Sequence, residues 1–246
     1  MKKTQLFASV AEFYDYSMVN NCDYDGWANY VTGKLKKHLK GVGSGMDVAC
    51  GSGFFTRAIK RCGYNVFGMD IAPEMLTSAQ KITAKEGLFI SYMVGDMTCF
   101  KYNSKLDFIT AINDAINCLP PDKIVKTFKN FASLLKKGGV LHFDVSSEYK
   151  LKNVIADNTF CEDDEDYSYI WFNKPYDDRV VMEMSVFLRE NDKYIKRESQ
   201  LTEYIHTREF LEQALIEAGF NVLEVDGDMG EYSAMSHRIN FTAIKD

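Results

Sequence analysis

The chain contains no run of apolar residues approaching the ~20 needed to cross a bilayer as a helix, so a helical integral membrane protein is not expected. It has six cysteines, Cys22, Cys50, Cys62, Cys99, Cys118 and Cys161, but no CxxC pair and no histidine at zinc-ligand spacing from any of them. A redox dithiol and a structural zinc are therefore not expected. A chain of 246 residues can build a core without disulfide staples, which reads these residues as scattered reduced thiols of a cytoplasmic protein. The opening Met1-Lys2-Lys3-Thr4-Gln5-Leu6-Phe7 begins like a secretory leader. It lacks the apolar core that should follow, because Glu12, Asp15, Asn20 and Asp23 interrupt it. No basic run is interleaved with aromatic residues, and 35 acidic residues outweigh 29 basic ones for a formal net charge of -6. Such a chain repels phosphate backbones and anionic lipid, which disfavours nucleic-acid and membrane partners. Internal repeats and low-complexity segments are also missing.

What is present is a hydrophobic fraction of 46%, enough for a sizeable core, arranged in an alternating pattern. Residues Ser9 to Leu39 read as helical and aromatic-rich, broken near Asn20-Asn21 and Asp23, and Gly41 to Gly45 reads as a turn. Strands are expected at Met46–Ala49, Asn65–Met69, Phe89–Val94, Leu106–Ile112 and Val140–Val145. Helices are expected at Phe54–Cys62, Pro73–Glu86 and Pro121–Leu135, the last capped by Gly138-Gly139. Strands alternating with helices of this length imply a parallel sheet with crossover helices. After Ser147 the period changes to two. Tyr167–Phe172, Val180–Leu188 and Tyr194–Leu201, separated by turns at Asp177-Asp178 and Asn191-Asp192, read as an inserted antiparallel sheet of about three strands. The acidic run Glu162 to Asp166 reads as a solvated loop. A helix at Thr207–Ala218 and strands at Phe220–Val225 and Arg238–Ile244 complete the pattern.

The chemistry concentrates at strand ends. Asp47-Val48-Ala49-Cys50-Gly51-Ser52-Gly53-Phe54 leads a strand through a glycine turn into a helix. Gly51 and Gly53 permit a tight turn and close approach of a ligand, and the amides opening the helix point at that ligand. The third glycine of the dinucleotide pattern is absent, since Thr56 stands there. Asp47 lies four positions before the first glycine, where a carboxylate repels a pyrophosphate and attracts a cationic amino-acid ligand. At the end of the second strand, Gly68-Met69-Asp70-Ile71-Ala72-Pro73-Glu74-Met75-Leu76 places Asp70 where an acid can accept from both ribose hydroxyls of an adenosine. Gly95-Asp96-Met97 follows the third strand, with Asp96 able to accept from an adenine amino group or to cap a turn.

Together these segments resemble the motifs of class I S-adenosylmethionine-dependent methyltransferases. Leu106-Asp107-Phe108-Ile109 and Leu134-Leu135-Lys136-Lys137-Gly138-Gly139-Val140-Leu141 resemble the later motifs, in order, over roughly residues 40 to 146 plus the last helix and two strands. The resemblance implies a Rossmann-like, doubly wound α/β fold with a mostly parallel seven-stranded sheet and an antiparallel β insertion. It implies S-adenosyl-L-methionine as cofactor and S-adenosyl-L-homocysteine as product. Asp47, Gly51 and Gly53 would hold the methionine end, Asp70 the ribose, Ile71, Asp96 and Met97 the adenine, and Asn113 the region of the transferred methyl group. Ala11-Glu12-Phe13-Tyr14-Asp15 resembles the N-terminal lid of small-molecule members, which implies that Tyr14 closes over the cofactor. The expected organisation is a helical lid (1–40), a core (41–147 and 206–246) and an inserted substrate cap (148–205).

Methyl transfer from a sulfonium needs alignment and exclusion of water more than acid–base help; a base matters only if the nucleophile arrives protonated. Candidates to line the acceptor pocket are Asn113, Asp114, Asn117, His142, Tyr169, Trp171 and His206. Asn113, Asp114 and His206 are the candidate catalytic residues, while His142, in an apolar strand, and Trp27 are read as packed core residues. Asn117-Cys118-Leu119-Pro120 departs from the Asn/Asp-Pro-Pro-Tyr type of motif, which argues against a nucleobase or amide acceptor. The expected activity is methylation of nitrogen or oxygen on a small molecule, with no metal. Methylation of tRNA or protein, non-catalytic binding of S-adenosylmethionine, and an NAD-dependent oxidoreductase are the alternatives.

Overall fold

The computed structural model describes residues 22–246. Tyr14, and with it most of the expected lid segment, lies outside the described residues.

Helix α1 (Tyr24–His38) starts where Asp23 Oδ1 accepts the Gly26 amide at 2.8 Å and ends on the basic turn Lys36, Lys37 and His38, matching charge to the helix dipole at both ends. Five parallel strands follow: β1 (Ser44–Val48), β2 (Asn65–Asp70), β3 (Tyr92–Val94), β4 (Leu106–Ala111) and β5 (Leu135–Ser146). Helices α2 (Phe54–Arg61), α3 (Pro73–Lys85) and α4 (Pro121–Leu134) make the crossovers. Helix α5 (Arg208–Glu217) leads into β10 (Phe220–Gly227) and β11 (Arg238–Lys245), which close the sheet in antiparallel fashion. The order is β10-β11-β5-β4-β1-β2-β3. The chain winds outward from β1 to β3 and then restarts at β4 on the other side of β1. This reversal opens a crevice at the carboxyl ends of β1 and β4, where doubly wound sheets bind ligands.

Each sheet face carries its own core. One is aliphatic and aromatic (Ile109, Phe128, Phe131, Leu141, Phe143, Leu211, Phe241) and packs α4 and α5. On the other, α1 and α2 bring Trp27, Val31, Leu35, Phe55 and Ile59 onto Val66, Phe108 and Val140. That second face also carries a buried polar row. Register aligns Asp47, Thr110, His142 and Thr242 across four strands. Thr110 donates to Asp47 Oδ1 at 2.9 Å, and His142 Nδ1 lies 3.0 Å from Thr242 Oγ1. His142 is fully buried with Tyr30 edge-on to its ring, as expected of a core histidine.

The inserted sheet has four antiparallel strands, not about three: β6 (Thr159–Asp163), β7 (Tyr167–Pro175), β8 (Arg179–Glu190) and β9 (Lys193–Tyr204). The extra strand, β6, is an edge strand that takes in Glu162 and Asp163 from the expected acidic loop; its exposed face accepts charge without cost. A π-helical turn at Lys150–Ile155 precedes it. The Gly138-Gly139 cap is likewise corrected. The chain leaves α4 directly into extended backbone at Leu135 (ψ 150°), so no left-handed cap forms. Instead Gly138 (φ +74°) bulges β5 outward between Leu135, opposite Leu106, and Val140, opposite Phe108. The expected strand from Phe89 begins only at Tyr92. Among the described residues, no helix is long and apolar enough to cross a membrane.

Candidate active site

Two loops meet at the crevice, and both are built from left-handed backbone. After β1, Ala49 (φ 53°), Gly51 (φ 54°) and Gly53 (φ 76°) fold the chain back on itself. The turn is closed by Gly53 N donating to Cys50 O at 2.9 Å. After β4, Asn113 (φ 66°) and Asp114 (φ 52°) do the same without glycine's freedom. Such residues persist only where their surroundings hold them, and they cluster at ligand clamps. Here the holder is Asp144 on β5, fully buried, whose carboxylate accepts the Asn113 amide at 2.7 Å and the Asp114 amide at 3.0 Å. Arg238, opening β11, pairs with Asp144, reaches Asp114 at 3.3 Å and stacks on Trp27 at 4.7 Å. Trp27 is thus a packing residue, as expected.

The cleft between the loops is lined by Tyr24, Asp47, Ala49, Ser52, Phe54 and Asn113, among others. Tyr24 stacks on Phe54 with ring centres 5.3 Å apart, making an aromatic wall. Asp47 sits on the floor, 2% exposed, accepting Thr56 Oγ1 at 2.5 Å and Thr110 Oγ1 at 2.9 Å. Burial pushes its carboxyl up to about 7 against those two hydrogen bonds, and the neighbouring Asp70 adds to the rise. Ser52 Oγ is buried in the same loop and makes no hydrogen bond to a described residue. The loop itself is braced from behind by Arg57, which donates to Ser52 O at 2.7 Å, pairs with Glu86 at 2.8 Å and stacks on Phe54.

Asp70 ends β2 beside this loop. Its Oδ2 accepts the Gly51 amide at 2.8 Å and its Oδ1 the Ala72 amide at 2.9 Å. Burial raises its pKa while these amides lower it, with burial prevailing. Each oxygen retains a lone pair, the arrangement a ribose diol requires. Next to it Ile71 is exposed, an apolar side chain just past the end of β2. Across from it, Asp96 Oδ1 accepts the Thr98 amide at 2.8 Å, which makes Asp96 a turn cap with its second oxygen uncommitted in that contact. Met97 packs against the core, its carbonyl held by Asn130 at 3.1 Å. A carboxylate for a cationic group, a diol acceptor and an apolar rest for a ring therefore lie in sequence along β1, β2 and β3. Ser52 Oγ, a buried hydroxyl with no hydrogen bond to a described residue, lies in the glycine loop after β1. This donor set fits S-adenosylmethionine.

The three expected catalytic residues separate. Asn113 lines the cleft. Asp114 is tied into the network behind it, accepting Ser146 Oγ at 2.9 Å with Lys150 3.6 Å away. Burial opposes its ionisation, but Arg238 and Lys150 outweigh burial and hold it below the usual carboxylate range, which leaves a poor base. His206 is 1% exposed, its Nε2 3.0 Å from the Leu119 carbonyl and its ring stacked on Phe210. A carbonyl only accepts, so Nε2 carries the proton, and burial lowers the ring's pKa. Asn117 is structural: its amide donates to Ser146 O (3.2 Å) and Tyr204 O (3.0 Å) and accepts the Ser146 amide (2.9 Å), joining the insertion to the core. Arg57, Asp144, Glu203 and Arg238 were not anticipated. Asp144 stands as a lone acid in the mostly apolar stretch 140–145, the one trace any of them leaves in the sequence.

Comparison with known proteins places this geometry. A family model for a methyltransferase domain matches residues 46–139. A protein of Geobacillus sp. (strain WCH70), provisionally named a methyltransferase, is 33% identical over 97% of this chain and 99% of its own. A crystal structure of an S-adenosylmethionine-dependent methyltransferase from Clostridium acetobutylicum ATCC 824 is 28% identical, with a TM-score of 0.88 over 97% of this chain and 98% of that one. CalS10, an amino pentose methyltransferase from Micromonospora echinaspora, shares the fold, with a TM-score of 0.74 at 18% identity over 92% of this chain and 93% of that one. With the crevice at the β1–β4 switch point, an acid at or one residue before the end of each of the first two parallel strands, and kinship along nearly its whole length, the chain belongs to the class I S-adenosylmethionine-dependent methyltransferases.

Proposed function

We propose that the protein methylates a nitrogen or oxygen atom of a small molecule. The observation that carries this reading is the cap. The four-stranded sheet sits over the carboxyl ends of β4 and β5, anchored by Asn117 to β5 and to the end of β9. A roof there favours a small acceptor over a polymer. Its side toward the π-helical turn is apolar, with Val180, Met182, Leu201 and Ile205 packed around Leu151 and Ile155. The fold shared with an amino pentose methyltransferase supports the same reading.

In this reading Asp47, Gly51 and Gly53 hold the amino-acid end of S-adenosylmethionine, Asp70 its ribose, and Ile71, Asp96 and Met97 its adenine. When bound, the cofactor supplies a methyl group on a positively charged sulfur, an electrophile with a good neutral leaving group. The chain's contribution is alignment and dryness. The Asp144–Arg238 clamp holds Asn113 at the cleft wall, Tyr24 and Phe54 close one side, and the cap keeps water from the acceptor. Asp114, held ionised, serves as a positioning residue for that wall. Incubation with methyl-labelled cofactor and a mixture of small amines and alcohols, tRNA and whole-cell protein tests the proposal. Label is expected in the small-molecule fraction; label confined to tRNA or protein would contradict it.

A further inference from the structure

One buried carboxyl group under the cap has no ion pair among the described residues. Strand alternation puts Leu201, Glu203 and Ile205 on the inner face, and register sets Glu203 opposite Val180, in the apolar cluster of Leu151, Ile155 and Met182. Glu203 is 6% exposed, and its Oε2 accepts no hydrogen bond from any described residue. The charged groups that act on it come from four other elements: Asp114 after β4, Asp144 on β5, Lys150 on the π-helical turn and Arg238 on β11. Both cations are already engaged. Arg238 pairs with Asp144 and Asp114, and Lys150 lies 3.6 Å from Asp114 and donates to Ser146 Oγ at 3.0 Å. Among the described residues three carboxyl groups thus face two cations, and the one with no ion pair is Glu203. Burying an unpaired carboxylate is costly, so Glu203 keeps a proton near neutral pH, and a cationic ligand can take that proton's place.

We propose that Glu203 is the acceptor-binding carboxylate and that it receives the ammonium group of an amine substrate, which makes the enzyme an N-methyltransferase. The inference rests on the small-molecule methyltransferase reading above and deepens it. An amine held by Glu203 has to reach past Asp114, in the same cluster, to the cofactor cleft that its chain neighbour Asn113 lines. The apolar residues around Glu203 suit the carbon skeleton of the amine. An alcohol brings no charge to take the place of the proton on Glu203. An ammonium nitrogen has no lone pair to offer, and Glu203 removes that obstacle. One N–H bond breaks, its electron pair stays on nitrogen, and the proton forms an O–H bond on the carboxylate. The group is suited to this transfer, because burial first, and the charge of Asp114 next, push its carboxyl up to about 8, close to a working neutral pH.

The test is calorimetric. The full-length protein, saturated with S-adenosylhomocysteine, is titrated at neutral pH with cyclohexylamine and glucosamine and with their neutral twins, cyclohexanol and glucose. At least one amine is expected to bind about tenfold more tightly than its twin, a difference of ~1.4 kcal/mol. Glu203→Gln is expected to bring the pair within about twofold of each other, with S-adenosylhomocysteine affinity unchanged as evidence of an intact fold, and Glu203→Asp to restore part of the preference. No amine binding, equal binding of amine and twin in the wild type, or a preference that survives Glu203→Gln would overturn the proposal. Wild-type protein that fails to bind S-adenosylhomocysteine would instead overturn the methyltransferase reading on which it stands.

Discussion

Two aspartates divide the cofactor cleft by their surroundings. At Asp70 burial raises the pKa, backbone amides oppose it, and both oxygens accept a backbone N–H with capacity left for a diol. Replacing it with alanine is expected to cost ~1.5–3 kcal/mol of cofactor affinity, the worth of hydrogen bonds to a charged group, and calorimetry on the folded variant reads this directly. Asp47 is tuned by burial, which places its carboxyl at about 7. A cationic ligand favours the ionised form, so affinity for S-adenosylmethionine is expected to rise as pH approaches 7 from below and then level off, with a proton released on binding below that pH. Asp47→Asn should weaken binding and flatten the profile. An unchanged slope in that variant would remove Asp47 from the amino-acid end of the site.

At the level of elements, Asn117 is the joint between cap and core. Two of its three hydrogen bonds are buried and the third, to Tyr204 O, partly so, and its loss leaves the Ser146 amide and two carbonyls without those partners. Asn117→Ala is expected to lower stability by ~3 kcal/mol and to reduce acceptor turnover more than cofactor affinity, measured by thermal melts and calorimetry side by side. The strands and helices of the core were legible because burial imposes periods of two and 3.6, and the glycine turn and Asp70 were legible because their spacing follows from close approach to a ligand. Edge strand β6 was not, since an exposed edge tolerates Glu162 and Asp163 and so carries no alternation. The Gly138 bulge was mistaken for a helix cap because both need a positive φ. The Asp144–Arg238 clamp and Glu203 were invisible for another reason. Their partners lie 94 positions apart in one case and on separate elements in the other, and no local pattern encodes such a meeting.

Across the whole molecule, the ionisation of buried groups ties stability to pH. Burial drives the pKa of His142 down to about 3 from an ordinary 6.5. The unfolded chain therefore binds a proton that the folded chain refuses as pH falls below 6.5, and stability is lost between 6.5 and about 3, by about 5 kcal/mol at most. Glu203 acts in the opposite sense. Its raised pKa means that the folded chain retains a proton the unfolded chain has released, so its favourable contribution fades as pH rises from about 4.5 through 8. Thermal melts across pH should show His142→Gln resisting acid better than the wild type, and Glu203→Gln melting higher than the wild type above pH 7; wild-type behaviour in both would refute the burial argument. The central claim, a S-adenosylmethionine site running from Asp47 to Asp96, is tested most directly by parallel calorimetric titration of wild type and Asp70→Ala with S-adenosylhomocysteine and NAD. One-to-one binding of S-adenosylhomocysteine, weakened in Asp70→Ala, with no heat from NAD, is the expected result. Binding of NAD alone, or equal affinity of both proteins for S-adenosylhomocysteine, would contradict it.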